Sequence, residues 1–99
     1  MIKNFKDEWL KRLFLKGEAS RNIPPDVARR LLIKLIALDR SESIQDLRIP
    51  PSNRLEALHG TRSGQYSIRV NDQWRICFKW IDSDAYEVEF VDYHGSKKR

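Results

Sequence analysis

The hydrophobic period changes once along this chain, and that change limits its fold more than any other feature. Before about residue 40 apolar residues recur every three or four positions, and after about residue 54 they alternate with polar ones. In 99 residues there is room for one hydrophobic core. The helical half and the extended half must therefore bury their apolar faces against each other in one domain spanning residues 1–99, with a basic tail at 95–99.

Between Lys6 and Lys16 the residues Trp9, Leu10, Leu13, Phe14 and Leu15 make a helical stripe, and Gly17 supplies a stop. Pro24-Pro25-Asp26 opens a second helix, with prolines where missing amide donors cost least; its stripe is Val27, Leu31, Leu32, Leu35, Ile36 and Leu38. The two are expected to form an antiparallel hairpin, with Arg29, Arg30, Lys34 and Arg40 on its solvated side. Ile2-Lys3-Asn4-Phe5 reads as an edge strand. From Asp39 to Asn53 turn formers dominate and Pro50-Pro51 blocks regular helix, which predicts a connector with room for one helical turn. Residues 54–58, 65–70, 74–80 and 85–91 read as strands joined by short polar linkers, the pattern of an antiparallel meander. The expected fold is α+β, with two N-terminal helices on one face of a twisted, mainly antiparallel sheet of four to five strands.

Nineteen Lys and Arg against 14 acidic residues give a formal charge of +5. Three of those cations lie in the last five residues, which leaves the body at about +2 by the same count (5 − 3). A polyanionic partner, nucleic acid first, is suggested but not required. The single cysteine, Cys77, excludes an internal disulfide and a cysteine-built zinc site. No stretch approaches the roughly 18 to 20 apolar residues of a membrane span, and the first residues lack the apolar run of a leader. A cytoplasmic protein without a membrane partner is expected.

Strand alternation supplies the candidate site. On one strand Tyr66, Ile68 and Val70 share a face and Ser67 and Arg69 the other; on the next, Trp74, Ile76, Phe78 and Trp80 oppose Arg75, Cys77 and Lys79. If helices cover the apolar face, Arg69, Arg75 and Lys79 gather on the uncovered one. Two readings stand there: cross-strand ion pairing with Glu87 and Glu89, or a phosphate cradle built on the bidentate guanidinium. Val91-Asp92-Tyr93-His94 collects a carboxylate, a phenol and an imidazole at a strand end, and His59 sits beside Arg62 in a glycine-containing loop. Exposed surface histidines are the plain alternative. No nucleotide-binding glycine loop, paired metal ligands or Ser-His-Asp grouping is present, so no metal or cofactor is expected. Trp74 and Trp80 read as core rather than as stacking platforms.

Three runs, Arg54-Leu55-Glu56-Ala57-Leu58-His59-Gly60, Gly64 to Phe78, and Val88-Glu89-Phe90-Val91-Asp92-Tyr93-His94, resemble HigB-type toxins of the RelE superfamily. The resemblance runs in order along nearly the whole chain. It implies a ribosome-dependent endoribonuclease that cleaves mRNA in the A site of the small subunit by metal-independent attack of the 2′-hydroxyl. It also implies a helix-turn-helix, HigA-like antitoxin through which alone operator DNA is bound. By position, Arg69 and Arg75 match the phosphate-contacting arginines, Tyr93 and His94 the C-terminal catalytic pair, and Asp92 an orienting group; His59, Arg62 and Lys79 would line the RNA path. Two departures stand out. Many relatives carry Lys where this chain has His59, which would make that position pH-sensitive, and many end near His94. Two other functions compete: a non-catalytic toxin that serves as antitoxin-bound co-repressor, and a stand-alone basic nucleic-acid-binding domain whose binding needs no ribosome.

Overall fold

The structure is a computed structural model and describes residues 1–21 and 23–92. Helix α1 spans Glu8–Lys16 and α2 spans Pro25–Arg40; strands β1 Glu56–Ala57, β2 Gln65–Arg69, β3 Trp74–Ile81 and β4 Asp84–Asp92 follow. The strands lie in the order β1-β2-β3-β4, every neighbouring pair antiparallel. Ile2 and Phe5 bridge in parallel to Ala85 and Val88, so the first residues extend the sheet beyond β4 as an edge. The Ile2 amide also donates to Asp39 Oδ1 (2.8 Å), tying that edge to the end of α2.

Each helix starts and stops where its residues dictate. Pro25 occupies the first turn of α2. Gly17 ends α1 in the left-handed conformation (φ 67°), and its amide and that of Glu18 close back onto Leu13 and Arg12 carbonyls. The core joins Leu10 and Leu13 of α1, Leu31, Leu35 and Leu38 of α2, and Ile68, Ile76, Phe78 and Val88 of the sheet. Trp74 and Trp80 pack against this core, Trp74 stacked on Phe90 at 4.6 Å. Among the described residues no helix is long and apolar enough to cross a membrane.

Two residues of the expected stripes point outward. Leu15 is 61% and Ile36 38% exposed, because a step of about 100° per residue swings each away from the buried Leu13 and Leu35. The connector contains two 3-10 turns, Ile44–Arg48 and Pro51–Asn53, the first closed by Ser43 and Asp46 in a capping box. The first strand is shorter than expected, because Arg54 leaves the second turn in a left-handed conformation and only Glu56 and Ala57 pair with β2.

The β3–β4 hairpin turns through Asp82 and Ser83, both with positive φ (50° and 68°), the geometry of a type I′ turn. A register shift follows between Cys77 and Lys79, where Glu87 also adopts φ 53° and its amide donates to Asn4 Oδ1.

Candidate active site

The β2–β3 turn is closed by its own polar groups. Val70 N–H donates to the Trp74 carbonyl (2.9 Å), and Asn71 Oδ1 accepts from the amides of Gln73 (2.9 Å) and Trp74 (2.8 Å). The first residues to pair beyond the turn are Arg69 and Arg75, directly opposite each other. Their side chains therefore share one face of the sheet.

Two guanidinium groups so placed repel unless acids lie among them. Arg69 pairs with Asp72 across the turn, and Arg75 Nη2 lies 3.7 Å from Glu56 Oε1. The two arginines differ in setting. Arg75 is only 4% exposed; its Nε donates to Ser67 Oγ (2.8 Å) and its Nη2 to the carbonyls of Ser67 (3.3 Å) and Arg54. Arg54 reaches that position with φ 45°, a conformation L-residues avoid, so a strained peptide presents its carbonyl to a buried cation. Arg69 is partly open to solvent.

Arg54, Arg69 and Arg75 line one cleft of about 490 Å³ together with the carboxylates of Glu56 and Asp72; Ser52 and Asn71 complete the lining. Three arginines against two acidic residues give the lining a positive formal balance, and an anionic ligand gains both charge and bidentate donors there. A phosphodiester is such a ligand. Among the described residues no group of three or more His, Cys, Asp or Glu side chains gathers as metal ligands.

The other expected site residues are dispersed. Lys79 stands four residues beyond Arg75, about 13 Å along the strand, and pairs with Glu87 (3.2 Å) instead of joining the arginines. Arg62 donates to Glu89 (3.0 Å) and Gln65 (3.2 Å), and the Glu89 hydrogen bond holds its guanidinium above the ordinary range. Cys77 pairs with Glu89 across β3–β4, and burial pushes its thiol up to about 11. His59 is exposed and borders another hollow with Glu56, Ala57 and Leu58, which meets the arginine cleft only at Glu56. Asp92 pairs with Trp74 across β3–β4, and its Oδ2 accepts from Gln73 Nε2 (3.4 Å). Tyr93, His94 and the 95–99 tail lie outside the described residues.

Sequence reasoning missed Arg54, Glu56 and Asp72. Asp72 had a signal, since an acid three residues past Arg69 faces back across a tight turn. Glu56 and Arg54 had none, because their approach to Arg75 depends on one left-handed residue. Lys34, read as part of a solvated helix face, donates instead to Asn53 Oδ1; Asn53 is buried and its Nδ2 donates to the carbonyls of Leu47 (3.1 Å) and Ile49 (3.3 Å). Desolvation, then repulsion from Arg69 and Arg30, holds the Lys34 ammonium below the usual lysine range.

Residues 3–94 match a family described as the RelE-like toxin of type II toxin-antitoxin system HigB. The chain is 42% identical over 94 residues to Toxin HigB-1 of Vibrio cholerae, covering 95% of this chain and 98% of that protein. It is 40% identical over 94 residues to Endoribonuclease HigB of Proteus vulgaris, covering 95% of this chain and the whole of that one. A Haemophilus influenzae protein of no stated function is 36% identical over 92 residues.

Proposed function

The chain belongs to the HigB-like family of RelE-like toxins of type II toxin-antitoxin systems, and from that premise we propose that it is an endoribonuclease that cuts mRNA in the ribosomal A site. The name of the Proteus vulgaris relative supports the activity. The observation that carries the reading is the in-register pairing of Arg69 and Arg75 in a cleft they share with Arg54.

The reaction is an in-line transesterification. The 2′-hydroxyl loses its proton and its oxygen bonds to the adjacent phosphorus; the bond to the 5′-oxygen breaks and that oxygen takes up a proton, leaving a 2′,3′-cyclic phosphate and a 5′-hydroxyl. Negative charge grows on the non-bridging oxygens as phosphorus becomes five-coordinate. Preorganised cations aimed there are the largest contribution a protein can make. Arg75, fixed by Ser67 and Arg54, supplies a buried donor, and Arg69 a more exposed one. Tyr93 and His94 are proposed to carry the protons, with Asp92 orienting them and the ribosome imposing the strand geometry that makes in-line attack frequent. Arg62, His59 and Lys79 stay as contacts to the RNA flanking the cut.

A type II toxin has a cognate antitoxin; we propose that it is a helix-turn-helix protein that carries the pair to operator DNA. The alternative, a non-catalytic toxin serving as co-repressor, has one observation in its favour: the buried Arg75 is already engaged by the fold's own acceptors. Induction of the chain with and without its antitoxin, with mapping of ends on ribosome-bound mRNA, separates the two. New 5′-hydroxyl ends are expected only when the antitoxin is absent. Growth arrest without new ends would remove the nuclease reading.

A further inference from the structure

A second hollow, of about 350 Å³, lies beside the cleft between α2 and the end of β2. Its volume is within the range that holds a small ligand. Arg30 and Lys34 of α2 and Arg69 of β2 supply three cations to its lining, Ile33 and Val70 an aliphatic surface, and no described carboxylate lines it. The neighbouring cleft has two carboxylates against its arginines. Ser52 and Arg69 border both spaces, so the two adjoin.

We propose that this hollow is a second nucleotide subsite, holding the phosphate and base next to the phosphodiester that is cut. The proposal rests on the nuclease reading and extends it to the flanking nucleotide. Asp72 answers Arg69 from the neighbouring cleft, but no described acid lines the hollow beside Arg30 and Lys34, and an anion there relieves their repulsion; burial first, and then repulsion from Arg69 and Arg30, lowers the Lys34 ammonium. Lys34 is also held in place. Asn53, anchored to two backbone carbonyls, takes one of its three N–H donors and leaves two for phosphate oxygens. Ile33 is 59% exposed on the helix surface, and a base face laid on it removes apolar area from water. The Arg30 guanidinium offers a plane for stacking on the same base.

The test measures binding of a single-stranded RNA with a 2′-deoxy nucleotide at the cut, over a salt series, together with single-turnover cutting of ribosome-bound mRNA. Variants are Arg30→Gln, Arg30→Gln with Ile33→Ser, and Lys34→Gln. Arg30 and Ile33 are exposed, so those substitutions keep the proposal testable if Lys34→Gln strands Asn53 and fails to fold. Arg40→Gln, with the same charge change on the same helix outside the hollow, is the control.

Each subsite variant is expected to raise the RNA concentration for half-saturation roughly tenfold, as loss of one charged hydrogen bond does. The slope of log Kd against log salt should fall by about 0.7 per cation removed. Cost should fall on half-saturation rather than on the rate at saturation, and Arg40→Gln should track the parent. Bound RNA should also raise the Lys34 pKa, read from its side-chain carbon resonance. Parental Kd and slope in Arg30→Gln overturn the subsite, as does loss of antitoxin binding with RNA binding intact, which marks a protein-docking face. If the parent cuts nothing on or off the ribosome, the nuclease reading fails, while the RNA-binding arm still decides the subsite by itself.

Discussion

A guanidinium almost sealed from solvent needs acceptors on several sides, and Arg75 has Ser67 Oγ, two carbonyls and the Glu56 carboxylate. Removing one partner from such a network leaves the others buried and unsatisfied, so Arg75→Ala is expected to cost about 3 kcal/mol or more of stability, read as a shift in denaturant midpoint. Loss of cutting in that variant would be ambiguous. Arg54 separates fold from chemistry better. Arg54→Gly relaxes a backbone held at φ 45° and deletes a cation from the cleft. Stability should hold or rise by up to about 1 kcal/mol while cutting falls at least tenfold. A variant with full activity would place the Arg54 side chain outside the reaction.

Cys77 makes a simpler prediction. With its thiol pushed to about 11 by burial, it should resist iodoacetamide at neutral pH in the native protein and react only after denaturation, as followed by mass spectrometry. At this scale strand alternation was enough to place Arg69 and Arg75 on one side of the sheet. The Arg54 carbonyl and Lys34's tie to Asn53 were not legible, since both join residues separated by long stretches of chain.

Among the elements, the β3–β4 hairpin carries a removable strain. Asp82 and Ser83 both sit at positive φ in a type I′ turn, where Asn-Gly is the favoured pair. Ser83→Gly should therefore raise stability by about 0.5–1 kcal/mol, after the entropy glycine adds to the unfolded chain is counted. An unchanged or lower unfolding midpoint would mean the turn is not strained as described. Legibility at this scale followed periodicity. Gly17, Pro25 and the alternation in β2 and β3 announced their elements. The bulge near Glu87 did not, because it lies in a strand without glycine, and it shifts the pairing of Lys79. The helical stripes were read too wide at Leu15 and Ile36, where apolar identity overrode angular position.

For the molecule as a whole, the change of hydrophobic period was enough to anticipate a helical layer on one face of an antiparallel sheet. What charge counting did not show is where the cations go. Arg30 and Lys34 from the helical layer and Arg54, Arg69 and Arg75 from the sheet side meet around two adjoining spaces, although the net charge of the chain is only +5. That convergence comes from tertiary packing of segments distant in sequence. It is also what makes Arg69 the informative residue, since it borders both spaces and, unlike Arg75, is not buried. The most direct measurement is the single-turnover rate at which Arg69→Gln cuts ribosome-bound mRNA at saturating protein, with its unfolding midpoint matched to the parent. Loss of one transition-state cation predicts a fall of about 10²- to 10³-fold, and cutting at the parental rate would contradict the account.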